Sequence, residues 1–284
     1  MKFKATLLSL ALATSAMANA ELNLKVFQAE PQGFSVSSTL VTGDKEAMVI
    51  DTGFTKADAL RIVANVLDSN KELTTILISN ADPDYYFGAE TLKQFFPNAK
   101  VVSTQAVVDE IKAKLANKLE VWVPQMGANA PKTPIIPEVL KDNTLTVDGE
   151  KVEIRGTQGT LANRPYVWIP SLKTITGNVS VYNNMHVWTA DSQTKAEREA
   201  WIAQLDEMKA LKPTKVIAGH SSDTSTDPKS IEFTQTYLKK FEKALEQGKN
   251  SDQVIATMDK AYPNLADKGN LELSAKVNKG EMKW

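Results

Sequence analysis

Carboxylates, amides and one imidazole come directly after four apolar runs of the chain. The polar residues in these four places are Asp51, then Asn80, Asp82, Asp84 and Tyr85, then Asn178, and finally His220. Side chains of these types can bind a metal ion, move a proton or hydrogen-bond a polar ligand. The whole chain has 2 His and 0 Cys, which excludes disulfides, thiolate metal sites and a histidine-rich zinc centre.

The elements that must position these residues alternate between strands and helices. Apolar and β-branched runs predict strands over Leu22–Phe27, Phe34–Val41, Glu46–Ile50, Leu73–Ser79, Lys100–Ser103, Leu145–Val147, Lys151–Arg155, Tyr166–Ile169, Thr174–Ile175 and Lys215–Ala218. Helical spacing and capping signals predict helices over Ala57–Leu67, Ala89–Phe96, Val107–Leu119, Thr194–Leu211, Pro228–Gln247 and Ser251–Ala261. The alternation indicates a layered α/β fold, with antiparallel pairing among the short middle strands.

A proline-rich stretch interrupts this alternation. Val121–Asn143 holds four prolines and is predicted to be a long loop, which either covers a pocket or crosses a sheet edge. Its Trp122 and Met126 suggest an apolar pocket wall beside the polar cluster. The terminal stretch Leu271–Trp284 carries apolar residues and is predicted to dock on the domain.

The first twenty residues resemble a cleavable secretory signal. Lys2 and Lys4 precede an apolar stretch, and Ala18-Asn19-Ala20 fits a small-x-small cleavage site. A membrane anchor or a buried strand is the alternative, but the stretch is short for a span. We therefore expect residues 1–20 to be a signal, residues 21–284 to form a single domain, and the protein to be periplasmic or secreted, without a stable membrane anchor after cleavage. The net charge of -1 gives no indication of nucleic-acid binding.

The order of the four polar segments resembles the metallo-β-lactamase fold superfamily over essentially the whole mature chain. In that family the first segment follows a strand as Asp-Thr-Gly, seen here at Asp51-Thr52-Gly53. The second usually reads His-x-His-x-Asp-His, a Gly-His precedes the third, the third ends in Gly-Asp, and the fourth ends in Gly-His. The resemblance implies a four-layer αβ/βα sandwich with a metal site at one edge of its sheets.

Most of the family's ligand positions hold other residue types in this chain. Asn80, Asp82 and Tyr85 stand where the second segment has histidines, Gly156-Thr157 replaces the Gly-His, and Asn178 replaces the bridging aspartate. Only Asp84 and His220 keep the family's ligand type. A neutral amide at the bridging position removes the negative charge between two cations, so binuclear zinc is not expected. The oxygen-rich remainder suits no tight metal, or one hard divalent ion held by Asp82, Asp84 and His220.

Two functions follow from this replaced site. One is a secreted binding protein or pseudo-hydrolase with little or no metal, in which Asn80, Asp82, Tyr85, Asn178 and His186 contact a small-molecule ligand. The alternative is an active hydrolase of a lactam, lactone or ester, with Asp84 and His220 as catalytic residues at an atypical single-metal site. His186 lies after the third segment and is either a pocket residue or part of a surface loop. Some of these residues also have purely structural interpretations. Asp51 and His220 could hydrogen-bond neighbouring loops, and Asp82-Pro83-Asp84 is a good turn sequence.

Overall fold

The computed structural model describes residues 20–284. Residues 1–19, which carry almost all of the predicted signal, lie outside the described residues, so the signal remains a prediction. Within the described part, no helix combines the length and the apolar character that a membrane crossing requires.

The first sheet has six strands that pair in their order along the chain. Its strands are β1 (Asn23–Gln28), β2 (Ser37–Thr42), β3 (Glu46–Ile50), β4 (Glu72–Leu77), β5 (Lys100–Ser103) and β6 (Glu138–Val139). The first three pair antiparallel, and β3 to β6 pair parallel. Parallel pairing places the carboxyl ends of β3 and β4 at the same edge, so the polar segments that follow them meet there.

Helices cover the outer face of this sheet. They are α1 (Lys56–Ser69), the one-turn α2 (Pro83–Tyr86), α3 (Ala89–Phe95) and α4 (Gln105–Met126). Helix α1 begins at Thr55, whose hydroxyl accepts a hydrogen bond from the Asp58 amide while the Asp58 carboxylate accepts one from Thr55. Such a capping box satisfies two free amides at the helix start.

The second sheet is built from the middle of the chain. Its strands are β7 (Thr144–Val147), β8 (Glu150–Arg155), β9 (Tyr166–Ile169), β10 (Thr174–Thr176) and β12 (Lys215–Val216), and a separate short pair consists of β11 (Tyr182–Asn183) and β13 (His220–Ser221). Strands β7 to β10 pair antiparallel, which confirms the expectation for these strands. Four helices cover the second sheet: α5 (Lys195–Ala210), α6 (Lys229–Gln247), α7 (Ser251–Ala261) and α8 (Lys268–Asn278).

The two sheets pack face to face through one apolar core. Met48, Ile50 and Leu77 of the first sheet share this core with Val152 and Val167 of the second. Because successive strand residues point to opposite faces, alternate positions of the first sheet pack instead against α1, α3 and α4. The order helix, sheet, sheet, helix is the predicted four-layer sandwich, and the α/β fold class is confirmed.

The expected loop at Val121–Asn143 is wrong over its first part, where α4 continues, and at Glu138–Val139, which forms strand β6. Helix α4 continues past Pro124 to Met126. Proline costs a helix one amide donor, but Trp122 holds this turn by edge-on contacts with Phe34 and Phe54, at ring-centroid distances of 5.3 and 5.5 Å. Tertiary packing therefore outweighs the local helix-breaking signal.

Candidate functional site

The loop after β3 is tied to the loop after β4 by a buried carboxyl group. Asp51 has a left-handed backbone with φ of 62°, and its two oxygens accept from the amide and the hydroxyl of Ser79, each over 2.7 Å. Burial raises the pKa of Asp51 to about 7, against the lowering effect of these hydrogen bonds. Asp51 thus fixes the strand ends relative to each other.

His220 lies at the junction of the two sheets with both ring nitrogens engaged. Its Nδ1 donates to the carbonyl oxygen of Phe34 over 2.8 Å; a carbonyl only accepts, so the proton is on Nδ1. Its Nε2 therefore has a lone pair, which lies 3.1 Å from the Tyr85 hydroxyl. The ring stacks on Tyr182 at 5.0 Å. Burial lowers the pKa of His220 to about 4, so the imidazole is neutral near pH 7.

Asp84 and Tyr85 meet His220 from the short helix α2. Asp84 Oδ2 lies 3.6 Å from His220 Nε2, and burial, together with the nearby Asp82, raises the pKa of Asp84 well above its ordinary value. The Tyr85 hydroxyl also lies 3.2 Å from the Asn178 carbonyl oxygen. Burial raises the pKa of Tyr85 well above its ordinary value, so the phenol stays protonated.

Asn178 uses its side chain to hold the backbone around it. Its Nδ2 donates to the Ile217 carbonyl over 3.0 Å, and its Oδ1 accepts from the Val181 amide over 2.9 Å. The residue is fully buried. Its amide therefore stabilises the adjoining strand ends, and an aspartate could not make the first of these bonds.

The side chain of Asp82 is paired with a lysine of the same chain. Its backbone amide donates to Asn80 Oδ1 over 2.9 Å, and its Oδ1 lies 3.6 Å from the ammonium of Lys118 on α4. Lys118 was absent from the candidate residues. A signal was available in the sequence, because Lys118 falls seven residues after the buried Ile111, on the apolar face of the helix.

His186 lies apart from the other candidates. It is buried, and its Nδ1 is hydrogen-bonded to the Tyr237 hydroxyl of α6 over 2.9 Å. It does not line the cavity next to His220. The structure therefore brings Asn80, Asp82, Asp84, Tyr85, Asn178 and His220 to one sheet edge and leaves His186 in the helical layer.

A cavity of about 370 Å³ opens beside this cluster. Its aromatic lining consists of Phe34, Trp122, Tyr182, Trp188 and Trp284, and its charged lining consists of Asp82, Asp84, Asp191, Asp267 and Lys118. Trp122 thus forms a pocket wall as the sequence suggested, although from a helix. A cavity of this size and lining is typical of a small-molecule site.

The far wall of the cavity is held by one carboxylate between two indoles. Asp191 accepts hydrogen bonds from Trp188 Nε1 over 2.6 Å and from Trp284 Nε1 over 3.0 Å. Burial acts to raise the pKa of Asp191, but Arg164 and these indole hydrogen bonds outweigh it and lower the pKa, so the group stays charged. The terminal stretch therefore docks as predicted and completes the cavity.

The donor set at the sheet edge does not fit the family's two-zinc site. The Asn178 amide is committed to the backbone, and Asp82 is paired with Lys118. Across residues 20–284, no group of three or more His, Cys, Asp or Glu side chains is arranged to hold a metal ion. Zinc needs several imidazole, thiolate or carboxylate donors around one point.

Comparison with known proteins agrees with the fold. The family model of the metallo-beta-lactamase superfamily matches residues 31–220, and the chain belongs to that superfamily. A metallo-beta-lactamase family protein from Thermus thermophilus superposes with a TM-score of 0.65 at 15% identity, covering 91% of each chain.

Two further solved structures share the fold at low identity. A metallo-beta-lactamase from Pontibacter korlensis has a TM-score of 0.53 at 16% identity, covering 78% of this chain and 99% of its own. The DIM-1 metallo-beta-lactamase has a TM-score of 0.54 at 18% identity, covering 77% and 92%. Among curated proteins, none matches the sequence. At such identities the likeness concerns the fold alone.

Proposed function

We propose that this chain is a secreted or periplasmic ligand-binding member of the superfamily, in which an internal ammonium takes the place of a bound metal. One observation carries the proposal: Lys118 Nζ lies 3.6 Å from Asp82 Oδ1 in the cavity wall. A positive charge at that carboxylate removes the electrostatic need for a divalent cation there. The cavity of about 370 Å³ then serves as a binding site for a small molecule.

The backbone around the site supports a binding role. Asn178 and Asp51 direct their polar atoms to neighbouring strand ends. A rigid edge of this kind preorganises a cavity, and preorganisation lowers the entropic cost of binding. His220 lines the cavity as a neutral imidazole, and Tyr85 lies buried behind it within hydrogen-bonding distance of its Nε2, so this wall is polar and rigid.

Metal analysis of the purified protein tests the proposal. We expect no stoichiometric zinc, and no heat of binding when zinc, magnesium or calcium is titrated into wild type. In Lys118→Met, Asp82 loses its ammonium partner and Asp84 loses a nearby positive charge, and we expect divalent-cation binding to become measurable. Lys239→Met is the matched control, because Lys239 is exposed on α6, and it should behave as wild type. One tightly bound equivalent of metal in wild type would overturn the proposal.

An active single-metal hydrolase is the second candidate, and one contact favours it. The Nε2 lone pair of His220 faces Asp84 Oδ2 at 3.6 Å, so two donors of family type are adjacent. Bound metal together with hydrolysis of a lactam, lactone or ester that is lost in Asp84→Ala would establish this candidate. Metal-free protein whose activity is unchanged by chelators and by His220→Ala would exclude it.

A further inference from the structure

Acidic side chains outnumber basic ones in the cavity lining. Four aspartates, Asp82, Asp84, Asp191 and Asp267, and one lysine, Lys118, are the acidic and basic residues that line this cavity within residues 20–284. Asp191 is held in its charged form, and an anionic ligand would meet this charge in a partly desolvated site, where like charges repel strongly. The lining therefore selects against anions and favours a positively charged ligand.

The aromatic side chains of the cavity favour a cation of a particular kind. Trp188 and Trp284 are edge-to-face at 4.9 Å and present two indoles to the same space. Aromatic rings attract organic cations through their negative faces, and tryptophan does so most strongly. A small metal ion gains little from such walls, whereas an alkylammonium group contacts them with its methyl or methylene groups.

Asp84 lines the cavity, and the hydrogen bond to its side chain comes from its own backbone amide. Its side chain is 8% exposed, it lines the cavity, and within the described residues no other residue donates a hydrogen bond to it. The nearest ring nitrogen, His220 Nε2, is 3.6 Å away and carries a lone pair, not a proton. Burial and Asp82 raise the pKa of Asp84, and its own backbone amide and Lys118 only partly offset this, so a ligand that brings positive charge into the cavity would favour the ionised carboxylate.

The chain already places one alkylammonium group against the same kinds of wall. Lys118 Nζ lies 3.6 Å from Asp82 and 5.7 Å from the centre of the Trp284 ring. An ammonium between a carboxylate and an indole is thus stabilised in this cavity. Asp84 and Trp188 offer a second carboxyl group and a second indole in the same cavity, and within residues 20–284 no lysine or arginine forms an ion pair with Asp84.

We infer that the cavity binds an organic cation, with its alkylammonium head at Asp84 and the indoles of Trp188 and Trp284. This inference rests on the proposed binding function and names the chemical class of the ligand. The apolar body of the ligand lies against Trp122 and Phe34 at the other wall. The cavity volume of about 370 Å³ is at the small end of the range for small-molecule sites, which suits a small amine or quaternary ammonium compound.

Three probes of the same shape and different charge test the inference. They are choline, its neutral analogue with carbon in place of the quaternary nitrogen, and the tert-butylacetate anion. Titration calorimetry and tryptophan fluorescence report binding to the full protein. We expect choline to bind about tenfold more tightly than the neutral analogue, and the anion to bind least, because a charge-and-ring contact of this type has about that effect.

Variants of the full chain identify the recognising group. Asp84→Asn should weaken choline binding about tenfold and leave the neutral analogue unchanged. The matched control is Asp142→Asn, an exposed aspartate outside the cavity, and it should bind all three probes as wild type does. Lys118→Met should strengthen choline binding, because it removes the cation that competes for the carboxylates. Near-ultraviolet circular dichroism establishes that each variant keeps its tertiary structure.

The outcomes separate this inference from the proposed function. Equal binding of choline and the neutral analogue, or tighter binding of the anion, overturns cation recognition and leaves a metal-free binding cavity in place. Failure of choline to bind folded wild type also overturns it. Stoichiometric metal in the purified protein is a separate result, which overturns the proposed function whatever the probes do. Choline selectivity that persists in Asp84→Asn would remove Asp84 from the recognition.

Discussion

His220 Nδ1 donates to the carbonyl oxygen of Phe34 over 2.8 Å, across 186 residues of sequence. This bond determines which nitrogen carries the proton and turns the Nε2 lone pair toward Tyr85 and Asp84. The segment before β2 therefore fixes the tautomer of His220, which lies 186 residues later in the chain.

The titration of His220 is open to direct measurement because the chain has 2 His. Burial lowers the pKa of His220 from 6.5 to about 4, so the unfolded state takes up the proton first as pH falls. The associated stability is complete above pH 6.5 and is lost toward pH 4, by about 3 kcal/mol. NMR of the two imidazoles, assigned with His186→Gln, should show His220 titrating near pH 4. Titration near 6.5 would contradict its burial in neutral form.

Asp51 should give the opposite dependence on pH. Burial raises its pKa from 3.8 to about 7, so the native state holds this proton more tightly than the unfolded state does. The contribution of this proton to the free energy of unfolding is present at low pH and is lost as pH rises toward 7 and above. Between pH 5 and 8 wild type should lose about 3 kcal/mol of unfolding free energy relative to Asp51→Asn, which mimics the protonated acid. If urea denaturation gave the same change of unfolding free energy with pH for both proteins, Asp51 would not hold its proton in the native state.

Asn178→Asp restores the residue type of the family and should nevertheless destabilise the protein. The new carboxylate oxygen would face the Ile217 carbonyl, where the Asn178 amide now donates over 3.0 Å. A buried unpaired charge costs on the order of 3–5 kcal/mol. Urea denaturation at pH 7 measures the loss, with Asn143→Asp at an exposed site as the control. Equal stability of the two variants would show that the Asn178 bonds are dispensable.

Gly219→Ala should displace the residue that carries the imidazole. A Cβ at Gly219 would lie 1.8 Å from the Asn178 carbonyl oxygen and 2.9 Å from the Tyr85 hydroxyl. Backbone must move to relieve such a clash, at a cost on the order of 3 kcal/mol. Gly269→Ala is the control, since its Cβ would meet nothing nearer than 3.7 Å. Thermal melts that coincide for both variants would be inconsistent with this close approach.

Sequence patterns located the elements well where local signals were strong. Glu46–Ile50, Lys100–Ser103, Tyr166–Ile169 and the helix Ser251–Ala261 have the predicted bounds, because β-branched runs, turn residues and caps act over a few residues. Pro124 misled the prediction for α4, since the packing of Trp122 against Phe34 comes from tertiary structure.

The position of the polar cluster in the fold was predictable from the sequence, but the contacts of its side chains were predictable only in part. Strand order brought Asp84, Tyr85 and His220 together as the family resemblance implied. The ion pair of Lys118 with Asp82 and the bond from Trp284 to Asp191 join residues 36 and 93 positions apart. No local pattern encodes such pairs, because they depend on how the helices dock on the sheets.

Four of the five aromatic residues that line the cavity come from distant places in the chain: Phe34, Trp122, Trp188 and Trp284. A molecule that touches all four links the first helix–sheet half to the second. Occupancy then resists separation of the halves, and stabilisation grows with ligand concentration as RT ln(1 + [L]/Kd). A rising melting temperature would therefore serve as a screen for the natural ligand among crude amine extracts.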